Sequence, residues 1–256
     1  MIIISNKGKF AQKSASGRKV AEDELCALEP FHFFENYIKL DGKSVGLLNF
    51  VPSAPQRKYL DALLSHHNVI TVQPRKAGLT TASLVFLLWK ILFTPNTSVG
   101  VVLPTHPMLN SICDAFRNMY LNVDPGIKPA PLSLLRDCFR FSNGSSFSVF
   151  WKTVPAGLYL DTVFLSDFAI LQLPDQQQCF QKTLSSLSPS GSIIIGSTPA
   201  RKGDLFHQLW QNALAGNQFY PFLVRWQDVW SPSTYLSIRS QIGDDAARTE
   251  LDCEFV

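Results

Sequence analysis

With 256 residues the chain is long enough for one large domain or two small ones. Hydrophobic residues make up 46% and charged residues 17%, which excludes a disordered chain and indicates a globular protein with a sizeable core. The net charge of +3 is unevenly placed: Lys7, Lys9, Lys13, Arg18 and Lys19 lie in an acid-free first twenty residues, leaving 18 basic against 20 acidic residues in the body. A body at net −2 lacks the high pI and basic face of a dedicated DNA-binding domain.

Residues 1–18 are polar, basic and rich in Ser, Gly and Lys, and read as a flexible arm, with a phosphate-binding tail as the functional alternative. The block Met1 to Ser5 is too short for a secretory signal. The longest apolar stretch, Leu84 to Phe93, contains Lys90 and is too short to span a bilayer. A soluble protein without a membrane partner is expected. Cys26, Cys113, Cys138, Cys179 and Cys253 are dispersed, with no C-x-x-C pair and no histidine at ligand spacing, so they read as reduced core residues.

From Asn68 onward the pattern is regular. Val69 to Gln73 reads as a buried strand, broken at Pro74 to Gly78 and followed by a helix from Thr80 to about Phe93. A second strand, Ser98 to Leu103, ends at Pro104, and a helix is predicted from about Pro107 to Tyr120. Phe139 to Phe141 and Phe147 to Trp151 flank Asn143-Gly144, a hairpin signal. Thr162 to Leu165 and Ser192 to Gly196 are two more buried strands, each leading into a polar loop. This alternation predicts an α/β fold with a mainly parallel sheet covered by helices on both faces. Ligands of such sheets sit beyond the carboxyl ends of the strands, here after Gln73, Leu103, Leu165 and Gly196. The core is expected over about 47–216, with a small lid subdomain from about 19–46 and 217–256.

The first of those strand ends carries a phosphate-loop-like window, Gln73 to Thr80, with the length and place of G-x-x-x-x-G-K-[ST]. Such a loop needs inward-facing N–H groups, a helix N-terminus, a lysine for the outer phosphates and a hydroxyl for Mg²⁺. Gly78 and Thr80 are present, whereas Gln73 replaces the first glycine and Leu79 the lysine. Alone, the window fits an ordinary strand–turn–helix junction as well.

The surrounding segments resemble the ATPase (motor) domain of tailed-phage large terminase subunits, myovirus-type, from about Phe34 to Phe255. Asn36-Tyr37, Phe50-Val51-Pro52 and Gln56-Arg57 look like the family's adenine-recognition segment. Arg75, Ala77, Gly78 and Thr80-Thr81 look like its deviant phosphate loop, and Leu87-Leu88-Trp89 like the helix behind it. Phe141 to Ser145 is similar to the hairpin preceding the second nucleotide motif. Ser197-Thr198-Pro199, then Leu205-Phe206 and Leu209-Trp210, match the coupling motif and its helix, and Glu254-Phe255 falls where the family hands over to its nuclease domain.

The resemblance implies a P-loop NTPase core that binds ATP with Mg²⁺ and drives double-stranded DNA packaging. It also implies a ring of identical subunits on a portal protein, a small terminase subunit as partner, and the host-cell cytoplasm as location. The isolated chain would bind DNA weakly, could be a monomer, and is expected to lack the nuclease domain. The implied nucleotide-binding set is Gln56, Arg57, Gln73, Arg75, Lys76, Ala77, Gly78, Leu79, Thr80 and Thr81. Gln56 would read adenine, since an amide can donate and accept. Arg75 would contact the outer phosphates in cis, Lys76 would partly replace the missing lysine, and Thr81 would pack or cap the helix. Thr80 and Asp167 would hold Mg²⁺, and Ser197 with Thr198 would sense the γ-phosphate.

The departures fall on the chemistry. Where the family carries Asp-Glu after its second-motif strand, this chain has Ser166-Asp167, so Asp167 with Arg75 is the catalytic pair that remains. The family arginine before a glycine becomes Ala156-Gly157. Asp161 stands at the opposite strand end, about 15 Å away at ~3.3 Å per residue. Binding of ATP is therefore expected with little hydrolysis. A catalytically degenerate subunit serving assembly or regulation is the alternative, and a scaffold or DNA-binding module on the same fold is the third reading.

Overall fold

The structure, a computed structural model, describes residues 21–42 and 46–256, together with the short paired strands β1 (Ile3–Ile4) and β2 (Phe10–Ala11). The remainder of the expected flexible arm, 1–18, lies outside the described residues. Helices α1 (Glu22–Leu28) and α2 (Pro30–Tyr37) lead into a small ladder, β3 (Lys39–Asp41) with β4 (Leu47–Asn49), and then helix α3 (Ala54–Ser65). The regular part follows as β5 (Val69–Val72), α4 (Leu79–Phe93), β6 (Ser98–Leu103), α5 (Pro107–Asn122), β7 (Pro131–Leu134), β8 (Cys138–Phe141) and β9 (Ser146–Trp151). Strand β10 (Leu160–Ser166), α6 (Leu173–Ser186), β11 (Leu187–Ser197), α7 (Leu205–Leu214) and β12 (Tyr220–Leu223) complete it, and α8 (Pro232–Ile242) and α9 (Asp244–Glu250) close the chain.

Eight strands form one sheet in the order β12-β5-β11-β10-β6-β9-β8-β7. The pairings from β12 to β9 are parallel, and β8 and β7 add an antiparallel edge. The predicted hairpin is β8–β9, and its turn needs Gly144, whose φ is 81°. Side chains alternate faces along each parallel strand. Val69, Val99, Val101, Phe164 and Ile194 enter one core, whereas Ile70, Val72, Val163, Leu165, Ile193 and Ile195 enter the other. Helix α4 lies in the first core and is apolar nearly all round, so it reads as a central buried helix. Its one cation, Lys90, is half-buried and donates to Thr162 Oγ1 at 2.7 Å. Burial lowers its pKa. Helices α6 and α7 cover the second face.

The expected lid is divided by the structure. Strand β12 belongs to the sheet edge because Tyr220 to Leu223 continue the ladder from Val69 to Val72. The leading helices join the first core through Cys26, Phe33, Phe34 and Ile38, and Trp89 Nε1 donates to the Cys26 carbonyl at 3.0 Å. Only α8 and α9 keep a small cluster of their own, built on Tyr235, Ala247 and Leu251. Among the described residues no helix is long and apolar enough to cross a membrane.

Candidate functional site

The parallel strands β5, β10 and β11 deliver three loops to one end of the sheet, where a cavity of about 260 Å³ opens. Gln73, Arg75, Lys76, Ala77, Gly78, Leu79 and Thr80 line it from the first loop, Asp167 and Ile170 from the second, Thr198 from the third, and Glu250 from the end of α9. The 73–80 turn takes left-handed backbone at Lys76 (φ 62°) and at Gly78 (φ 77°), directly before α4. The first N–H groups of α4 have no partners inside the helix, and its N-terminal dipole favours an anion. The Leu79 side chain is 2% exposed and packs in the main core, so it cannot stand in for a lysine in the cavity. Gln73 Oε1 is buried without a hydrogen-bond partner, which leaves a carbonyl acceptor beside the cavity.

Asp167 stands just past β10 with left-handed backbone (φ 53°). Its N–H donates to the Gly196 carbonyl at 2.7 Å, and Ser166 Oγ donates to its carboxylate at 2.8 Å. Burial raises the pKa of Asp167, while the Ser166 hydroxyl and the Arg75 guanidinium pull it back. Asp161 is engaged at the far end of β10, accepting from the Ser98 N–H and from Ser188 Oγ, both at 2.8 Å. Ser197 is fully buried: its Oγ accepts from the Ala169 N–H at 3.1 Å and its carbonyl from the Gln73 N–H at 3.2 Å. It joins the phosphate-type loop to the segment after Asp167, whereas Thr198 faces the cavity.

Three expected site residues lie elsewhere. Gln56 is the third residue of α3, and its amide closes that helix's cap, its Oε1 accepting from the Ser53 N–H at 2.9 Å. Its Nε2 donates to the Gly78 carbonyl at 3.0 Å, so both polar ends are engaged. Arg57 points away to Glu35 at 2.8 Å and lies over the Phe31 ring at 4.3 Å. Thr81 is outside the cavity lining. Arg75 lines the cavity, but its Nη1 donates to both carboxylate oxygens of Glu250, at 2.7 and 2.8 Å. Glu250 was not anticipated: 175 residues separate it from Arg75, and no local motif marks it.

A second polar cluster brings Glu22, Cys26 and His32 within 4.8 Å of one another. Glu22 already accepts from Tyr37 Oη at 2.6 Å and lies 2.7 Å from His32 Nε2. Through these contacts Glu22 of α1 is hydrogen-bonded to two residues of α2.

No protein-family model matches the chain. A variant of the ATPase domain of the Thermus phage P74-26 large terminase matches at 21% identity and TM-score 0.67, over 82% of this chain and 96% of that one. The HK97 bacteriophage large terminase matches at 13% identity and TM-score 0.69, over 90% of this chain and 55% of that one. This chain has the fold of a large-terminase ATPase domain. The large terminase of a thermophilic bacteriophage, solved with ADP, matches at 14% identity and TM-score 0.61, over 78% of this chain and 52% of that one. The chain thus spans about half the length of these two terminases and nearly the whole of the P74-26 ATPase domain.

Proposed function

We propose that this chain is a phage large-terminase ATPase domain, a nucleotide-binding unit of the machinery that packages double-stranded viral DNA. The observation that carries this reading is the strand-end cavity, where a 73–80 loop, a helix N-terminus and the Asp167 carboxylate converge within a terminase ATPase fold. One solved relative of that fold is an ADP complex.

The residues fit a magnesium nucleotide in part. Thr80 Oγ1 and the Asp167 carboxylate would hold Mg²⁺, and the unpartnered Gln73 Oε1 suits a metal-bound water. When bound, the ion neutralises charge that develops on the transferring phosphoryl group. Arg75 and the α4 N-terminus bind and orient the phosphates, and Asp167 accepts a proton from the attacking water. Gln56 serves the site by holding Gly78 rather than by reading adenine. In this reading Thr198 senses the outer phosphate, and Ser197 relays its position through Gln73 and Ala169. Assembly as a ring on a portal protein, with a small terminase subunit, belongs to the same proposal.

Ser166 and Leu79 favour a second reading, a subunit that binds nucleotide but turns it over poorly. Phosphoryl transfer depends on electrostatic groups that both residues have lost. Measured ATP turnover, with and without duplex DNA, tests the active-site assignment. Very slow turnover that falls by about tenfold or more in Asp167→Ala is expected. Brisk turnover indifferent to Asp167→Ala would place the catalytic acid elsewhere.

A further inference from the structure

At the other end of the sheet from the strand-end cavity, a second cavity of about 360 Å³ lies between α3 and α4. Pockets for small ligands span roughly 300–1,000 Å³ and are mostly apolar, with a few polar groups that fix orientation. Here Leu63, Leu64, Phe86, Trp89 and Ile194 supply the apolar walls. The rim histidines are held by the protein: the His66 ring stacks on Tyr220 at 3.7 Å, and His67 Nε2 donates to the Gly191 carbonyl at 2.9 Å.

Lys90 brings a cation to this cavity from α4. Its ammonium has three N–H donors. One goes to Thr162 Oγ1, whose own proton goes to the Asp161 carbonyl at 2.8 Å, so the threonine only accepts from the lysine. Thr162 is the one hydrogen-bond partner of Lys90 among the described residues. The Asp161 carboxylate acts on Lys90 through its charge but spends its oxygens on the Ser98 N–H and Ser188 Oγ. Two donors of a half-buried ammonium are thus left beside apolar walls, an arrangement that is costly unless an acceptor is supplied.

From these contacts we infer that the cavity binds a small organic carboxylate, with its head accepting from Lys90 and its apolar body packed between α3 and α4. One cation matches a singly charged head. A phosphate carries more charge and asks for several donors that these walls do not offer. The inference is independent of the nucleotide reading, since Lys90 and Thr80 stand ten residues apart on α4, roughly 15 Å at ~1.5 Å per residue.

The experiment titrates benzoate, benzamide and inorganic phosphate into the native chain, Lys90→Met and Leu64→Trp. It follows the Trp89 indole N–H signal by NMR, assigned through Trp89→Phe, with thermal melts to verify folding. Benzoate should shift that signal saturably in the native chain. Lys90→Met keeps the length of the stem and should weaken benzoate about tenfold or more while leaving benzamide unchanged. Leu64→Trp fills the cavity from a half-buried position and should remove benzoate binding with Lys90 intact, which tests the site even if Lys90→Met fails to fold. No saturable shift in the native chain overturns the proposal. Benzamide or phosphate binding there as tightly as benzoate, or benzoate binding unchanged in a folded Lys90→Met or Leu64→Trp, overturns it equally.

Discussion

At Asp167 burial works against stability. Its carboxylate lines the cavity, and burial raises its pKa above the ordinary 3.8. A raised carboxylate pKa means the folded chain holds its proton more tightly than the unfolded one. Between pH 3.8 and the raised folded value the native state binds more protons, so this residue makes stability fall as pH rises through that window. Asp167→Asn should therefore raise the melting temperature at neutral pH and flatten that part of the pH profile. A melting series across acid pH checks it; a variant less stable than native at neutral pH would show that the charge is favourably held. The buried Leu79 gives the opposite forecast for a simple motif repair. Leu79→Lys alone should destabilise the fold by about 2–5 kcal/mol, because it removes a core leucine and places an ammonium in apolar surroundings. Denaturant titration measures that loss. Ser166→Asp with Asp167→Glu changes only residues at the strand end and should raise turnover more than either change alone. The position of Ser166 and Asp167 at the end of β10 was legible in sequence because a strand end is a fixed address. Glu250 was not, because its partner lies 175 residues away and only the fold joins them.

The turn between β5 and α4 depends on Gly78 and Gln56 together. Gly78 has φ 77°, and a Cβ there would lie 2.5 Å from Gln56 Nε2. Gly78→Ala is strained in backbone and side chain alike and should cost about 1–3 kcal/mol, with weaker nucleotide binding. Gln56→Ala should cost about 1–2 kcal/mol by removing the α3 cap bond and the hold on Gly78. If Gln56 read adenine directly, its loss would weaken ATP far more than triphosphate; if it holds the loop, both should weaken alike. A parallel titration of the two ligands decides between them. The strands and helices from Val69 to Gly196 were readable because β-branched runs, prolines and the Asn143-Gly144 turn punctuate them. The edge strand Tyr220–Leu223 was not, since Pro221 and a four-residue length mask its pairing with β5. The Arg57–Glu35 pair was not legible for a related reason: neighbours on a helix point to different surfaces, and only α2 packing shows that Arg57 meets Glu35.

At the scale of the molecule, strand order puts β11 between β5 and β10, so the loops after all three meet at one cavity. The sequence implied that meeting point through the rule for parallel sheets, without giving the order. Charge is also a property of this scale. The body carries 18 basic against 20 acidic residues beyond the first twenty, so binding to duplex DNA should be weak and its salt dependence carried by residues 1–19. Deleting 1–19 should flatten that dependence, and tight binding that survives both the deletion and high salt would contradict the charge argument. The most direct test of the nucleotide site is residue-level hydrogen exchange of the native chain with and without saturating ATP·Mg²⁺. Slowed exchange at 74–81 and 196–198 is the predicted result; unchanged exchange there, with protection confined to another part of the sheet, would contradict it.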